Sequence, residues 1–113
     1  MSIDDELYQS HIHEIRRGTV VIAVLSVLDE PRYGYALIDL LNDSGIETEA
    51  NTLYPLLRRM EKQGLLESIW NTEESRPRKY YRITTQGDEV RKAILTEWNR
   101  LSRVLNDLNG ETS

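Results

Sequence analysis

A chain of 113 residues, with 39% apolar and 29% charged side chains, has the size and composition of one globular domain. It contains no cysteine, which excludes disulfides, thiolate zinc sites and cysteine nucleophiles. The formal charge of −5 argues against a uniformly basic nucleic-acid binder.

That charge is unevenly spread. Residues 50–82 hold seven basic and four acidic side chains, net +3; the rest hold seven and fifteen, net −8. An acidic body carrying one basic segment still binds phosphate locally, because salt screens charges beyond about 10 Å. Met1 to Glu14 is acidic and polar, without the basic start and apolar run of a secretory signal. The longest apolar run, Val20 to Leu25, is too short to span a bilayer. No membrane partner is expected.

In chain order, Leu7, Ile12 and Ile15 stand near helical spacing and open a first helix, which Arg16-Arg17-Gly18 either interrupts or continues. Thr19 to Leu28 is apolar on nearly all sides and predicts a central, packed helix. Asp29-Glu30-Pro31 stops it, since the residue before proline disfavours the α region. Tyr33 to Leu41 predicts a second helix, with Leu37, Leu40 and Leu41 on one stripe, and Asn42-Asp43-Ser44-Gly45 is a turn cluster. A third helix spans about Asn51 to Gln63 and buries Leu53, Leu56, Leu57 and Met60. Pro55 is cheap only in a first turn, so the helix is expected to begin at Asn51 or Thr52, either of which caps it, or to be distorted there. Gly64 ends it as a left-handed cap.

Leu65 to Trp70 and Arg78 to Thr84 read as a β-hairpin around the polar loop Asn71 to Pro77. Thr85 with Asp88 three residues on resembles a capping box opening a last helix to about Leu108. There Ile94, Trp98, Leu101, Leu105 and Leu108 are spaced 4, 3, 4, 3, the a/d seam of a helix packing along another helix. The fold expected is mainly α with a small β-hairpin: a winged helix-turn-helix over residues 1–84, including the N-terminal helix, and a C-terminal dimerisation helix and tail over 85–113.

The second and third helices form the helix-turn-helix. The later helix of such a unit enters the major groove, whose base edges carry a distinct donor and acceptor pattern. Its face offers Asn51, Thr52, Tyr54, Arg58, Arg59 and Lys62; the hairpin tip adds Arg76, Arg78 and Lys79 as a wing toward backbone or minor groove.

The strings TLYPLLRRMEKQGLLES, RPRKYYRIT, TTQGDEVRKAI and YGYAL together resemble the PadR family of winged-helix regulators, in its smaller branch with a single C-terminal helix. The resemblance runs from about Arg17 to Leu108. It implies a cytoplasmic homodimer, usually a repressor, on a pseudo-palindromic operator of duplex DNA. It places Tyr33, Tyr35, Thr52, Tyr54, Arg58, Arg78 and Lys79 at DNA-contacting positions, gives the last helix the dimer contact, and puts Trp98 where some small members line a flat, drug-binding pore for a planar apolar effector. This chain departs from the family pattern at SRPRKYY, where Pro77 replaces the glycines common before the basic pair. It departs again at Glu49, which stands where a short capping residue is usual.

The expected DNA-binding residues are therefore Tyr33, Tyr35, Asn51, Thr52, Tyr54, Arg58, Lys62, Arg76, Arg78 and Lys79. The expected dimer residues are Ile94, Trp98, Leu101, Leu105 and Leu108, with Trp98 the effector-binding candidate. The plainer reading of Arg58, Arg59 and Lys62 is a solvated helix face, and that of Trp98 an interface side chain. The functional alternative is a winged-helix protein-interaction module that no longer binds DNA. His11 and His13, two apart, point in different directions on a helix, so no metal site is expected. No nucleophile or glycine-rich phosphate cradle accompanies the carboxylates; neither catalysis nor a cofactor is expected.

Overall fold

The computed structural model describes residues 4–73 and 75–110. Seven elements follow one another: α1 (Asp5–Val27), β1 (Arg32–Tyr33), α2 (Gly34–Asp43), α3 (Ala50–Lys62), β2 (Leu66–Asn71), β3 (Arg78–Ile83) and α4 (Thr85–Leu108). The three strands form an antiparallel sheet in the order β1-β3-β2. This is a winged helix-turn-helix, mostly helical, with a long C-terminal helix.

Arg16-Arg17-Gly18 continues α1 rather than interrupting it. The helix is capped by the Asp4 carboxylate, which accepts from the Leu7 amide at 3.1 Å. Gly18 carries a helical backbone, and a methyl added there would meet nothing within 4 Å. The apolar stretch beyond it buries Val20, Val24, Leu25 and Leu28, while Val21, Ala23 and Val27 are only partly covered. Leu37 and Leu41 of α2, Leu53, Leu56, Leu57 and Met60 of α3, and Leu66 and Tyr81 of the sheet complete one core. Each large side chain fully withdrawn from water contributes about 1.5–3 kcal/mol.

α2 and α3 both end in a Schellman motif. Ile46 N–H donates to Leu41 C=O and Gly45 N–H to Asn42 C=O; likewise Leu65 donates to Met60 and Gly64 to Glu61. The glycines adopt φ of 99° and 79°, left-handed values costly for any side chain. Asn42 then fixes the α2–α3 turn. Its amide donates to the Thr48 carbonyl at 3.0 Å, and its side-chain oxygen accepts from the Thr48 amide at 2.9 Å.

Three expectations are corrected. Tyr33 is not the first residue of α2 but its cap, and with Arg32 it forms β1, paired to Tyr80 and Tyr81 of β3. Neither Asn51 nor Thr52 caps α3, which starts at Ala50 with Glu49 in the cap position and no side-chain cap bond. Pro55 thus lies inside the helix and denies the Asn51 carbonyl its usual donor. The cap of α4 is Thr84, not Thr85: the Thr84 hydroxyl accepts from the Gly87 amide at 3.0 Å and donates to the Gly64 carbonyl at 2.6 Å. With Gly87 at the third position no capping box forms, and Asp88 instead pairs with Arg91 and Lys92.

Candidate nucleic-acid interface

The helical turn of 3.6 residues puts Leu53, Leu57 and Met60 of α3 on the core and leaves Asn51, Arg58 and Lys62 on the opposite, exposed face. Among the described residues, Arg58, Arg59 and Lys62 have no ion pair. Thr52 is also exposed, but lies to one side of this row.

Tyr54 leaves α3 on the other side, toward the sheet, and is half-buried. Its ring lies over Gly34 so closely that a methyl there would sit 2.4 Å from the ring edge and 2.7 Å from the hydroxyl. The bare backbone of Gly34 thus lets α2 and α3 approach and turns the Tyr54 hydroxyl toward the wing.

There three aromatic rings and a guanidinium form one stack. Tyr33 lies 5.5 Å from Tyr35 and 4.0 Å from Tyr80 between ring centroids, and its hydroxyl shares a short hydrogen bond with that of Tyr80. The Arg78 guanidinium sits 5.2 Å and 5.6 Å from the Tyr33 and Tyr35 ring centres and donates to the Tyr35 hydroxyl at 2.7 Å. Cation–π attraction holds such a group in place. Tyr33, Tyr35, Tyr54, Arg76, Arg78 and Lys79 together line a hollow of about 360 Å³ between the start of α2, α3 and the wing. Six of the ten expected DNA-binding residues therefore converge here, and the other four lie along α3.

Alternation along β3 separates the basic pair. Arg78 and Tyr80 take one face; Lys79 and the buried Tyr81 take the face toward the helices. Lys79 stands 5.1 Å over the Tyr81 ring, with its ammonium 3.6 Å from Glu61 of α3. Glu61 in turn accepts from the Ser68 hydroxyl. Sequence reading had no place for Glu61 here; strand parity at Lys79 was the available signal.

On α4, Ile94 is half-buried and packs against the chain's own core with Val90. Beyond it the seam opens to solvent: Trp98 is 38% exposed, Leu101 42%, Leu105 57% and Leu108 76%. Leu7, Tyr8 and Ile15 of α1 are similarly uncovered. Among the described residues no cluster of His, Asp and Glu has metal-holding geometry, and no helix is long and apolar enough to cross a membrane.

Residues 24–93 match the transcriptional regulator PadR-like family. The chain is similar to the crystal structure of a PadR family transcriptional regulator from Eggerthella lenta, at 51% identity and a TM-score of 0.86 over 92% of this chain and 93% of that one. It is also similar to a PadR-like transcriptional regulator from Bacillus cereus, at 30% identity and a TM-score of 0.77 over 88% and 99%. A transcriptional regulator of Mycobacterium tuberculosis is 34% identical over 90 residues, 79% of this chain and 80% of that protein. PadR-family regulators are non-enzymatic DNA-binding proteins. In sequence and in fold, this chain belongs to the PadR family of transcriptional regulators.

Proposed function

We propose that this regulator is a repressor that binds a pseudo-palindromic operator as a homodimer. The observation that carries the DNA reading is the exposed row Asn51, Arg58 and Lys62 on α3, flanked by the ordered Tyr33–Tyr35–Arg78 stack. Amide and guanidinium groups at helical spacing suit base edges in a major groove. A guanidinium and tyrosine hydroxyls beside them suit phosphate, which fixes register without reading sequence. Thr52, Tyr54 and Arg76 extend this surface. Lys79 joins it by exchanging the part-buried Glu61 carboxylate, 3.6 Å away, for a phosphate.

The apolar seam of α4 supports the homodimer, because an uncovered a/d stripe is stabilised by a second helix. Two copies then present their α3 helices to half-sites one helical turn, or a multiple, apart. Trp98, on that seam, is the candidate wall for a planar apolar effector that relieves repression.

A mobility-shift titration with the DNA upstream of the protein's own gene tests the reading. Arg58→Ala is expected to weaken the operator complex about tenfold or more and to relax selectivity at one base pair. Arg78→Ala is expected to weaken all duplexes alike and to flatten the salt dependence by about one unit of slope. Operator affinity and salt slope unchanged in both variants would refute this interface.

A further inference from the structure

The major groove is about 12 Å wide and a helix with its side chains about 10–12 Å across. A helix seated in it therefore has phosphate on both sides. On α3, Tyr54 and Glu61 lie seven residues apart on the side facing the wing. Thr52 and Arg59, also seven apart, lie on the other side and line a separate groove of about 420 Å³, whose far wall is the middle of α1.

That groove is set up for an anion. Arg16 and Arg17 project into it from α1 and Arg59 from α3, over an apolar floor that includes Val20. Arg59 has no ion pair among the described residues. Among the described residues, Arg16 pairs with Glu47 at 3.4 Å and Arg17 with Glu14 at 3.4 Å. Both pairs are exposed and easily exchanged. Glu49, which also lines the groove, leaves the start of α3 without a side-chain cap, so the positive end of the helix adds to the field. Glu47 and Glu49 temper that field.

We infer that this groove is a second phosphate seat on the same duplex, in which Arg59, with Arg16 and Arg17, holds the backbone strand across α3 from the wing. The inference rests on the DNA reading above and extends it to α1. Recognition then has two walls: a rigid one of tyrosines and Arg78, and an adjustable one of exchangeable arginines.

Fluorescence anisotropy over a range of salt tests it, using the upstream duplex and a scrambled duplex of equal length. Arg59→Ala should lose about tenfold in affinity on both duplexes and lower the salt slope by about 0.9. Arg59→Lys should keep most of the slope, because phosphate accepts a point charge. Glu47→Gln, which frees Arg16 and removes a repelling charge, should bind both duplexes more tightly than the parent. An unchanged slope in Arg59→Ala, or a loss confined to the upstream duplex, overturns the inference; the second result would make Arg59 a base reader. Failure of the parent protein itself to bind either duplex would instead remove the DNA reading.

Discussion

Gly87 sets how closely α4 approaches the turn before β2. A methyl there would fall 2.1 Å from the Leu65 carbonyl oxygen and 2.7 Å from an Ile83 side-chain carbon. Backbone cannot yield as a side chain can, so Gly87→Ala is expected to destabilise the fold by about 1–3 kcal/mol, in the range of overpacked cores. Gly18→Ala, where the space is open, should instead add up to about 1 kcal/mol, since alanine is the better helix former. Urea melts of both variants check the contrast, and equal midpoints would contradict it. Residue-scale geometry of this kind was the least legible in the sequence. Arg58 and Lys62 could be placed on an outward face by helical spacing alone. The seating of Tyr54 on Gly34 and the meeting of Lys79 with Glu61 join residues 20 and 18 positions apart, and no local pattern encodes them.

The elements themselves were largely legible, because each carries its own period or stop signal. Gly45 and Gly64 mark the ends of α2 and α3, and apolar spacing marks their buried stripes. What escaped was short or offset by one residue. β1 has only two residues and exists because β3 offers an edge to Tyr33 and Arg32, a long-range pairing invisible locally. The α4 cap fell to Thr84 because its hydroxyl serves two partners, the Gly87 amide and the Gly64 carbonyl, whereas Thr85 has neither. Thr84→Ala is therefore expected to cost about 1–2 kcal/mol, and Thr85→Ala almost nothing; thermal melts of the two distinguish the assignments. In the turns that follow, Arg91 and Lys92 hydrogen-bond the Asp88 carboxylate and hold its pKa below the usual value. Arg100 does the same for Glu97. A carboxylate shifted downward favours the folded state above its unfolded pKa, and that contribution fades as acid protonates it. Glu97 is exposed and Asp88 only partly covered, so these pairs tune α4 rather than hold it.

At the scale of the molecule, the body is elongated, 55 × 32 × 23 Å, and most of its uncovered apolar side chains gather on α4 and the first half of α1. The spacing of the α4 seam was plain in the sequence; the contribution of Leu7, Tyr8 and Ile15 was not, because these α1 residues sit amid charged neighbours. If this surface joins two copies, Leu101→Asp should give a folded monomer by sedimentation with operator affinity reduced at least tenfold, because two linked half-sites bind far better than one. The same variant should lose any quenching of Trp98 by a planar apolar ligand. That reading needs a Trp70→Phe background, since Trp70 on β2 is 61% exposed and would report contacts elsewhere. A Leu101→Asp protein that remains dimeric would place the interface on another face.

The tight seat of Gly87 has a mechanical corollary. α4 runs about 36 Å from end to end at 1.5 Å per residue, and it is braced at its root against the strand that leads into the wing. No hinge lies between the part of the helix that packs in the core and the part left open to solvent. In a paired assembly, a ligand that tilts the far ends of these rods by a few degrees would swing each reading head as one rigid piece. The separation of the two heads would then shift out of step with the pitch of DNA, and neither recognition surface would need to deform.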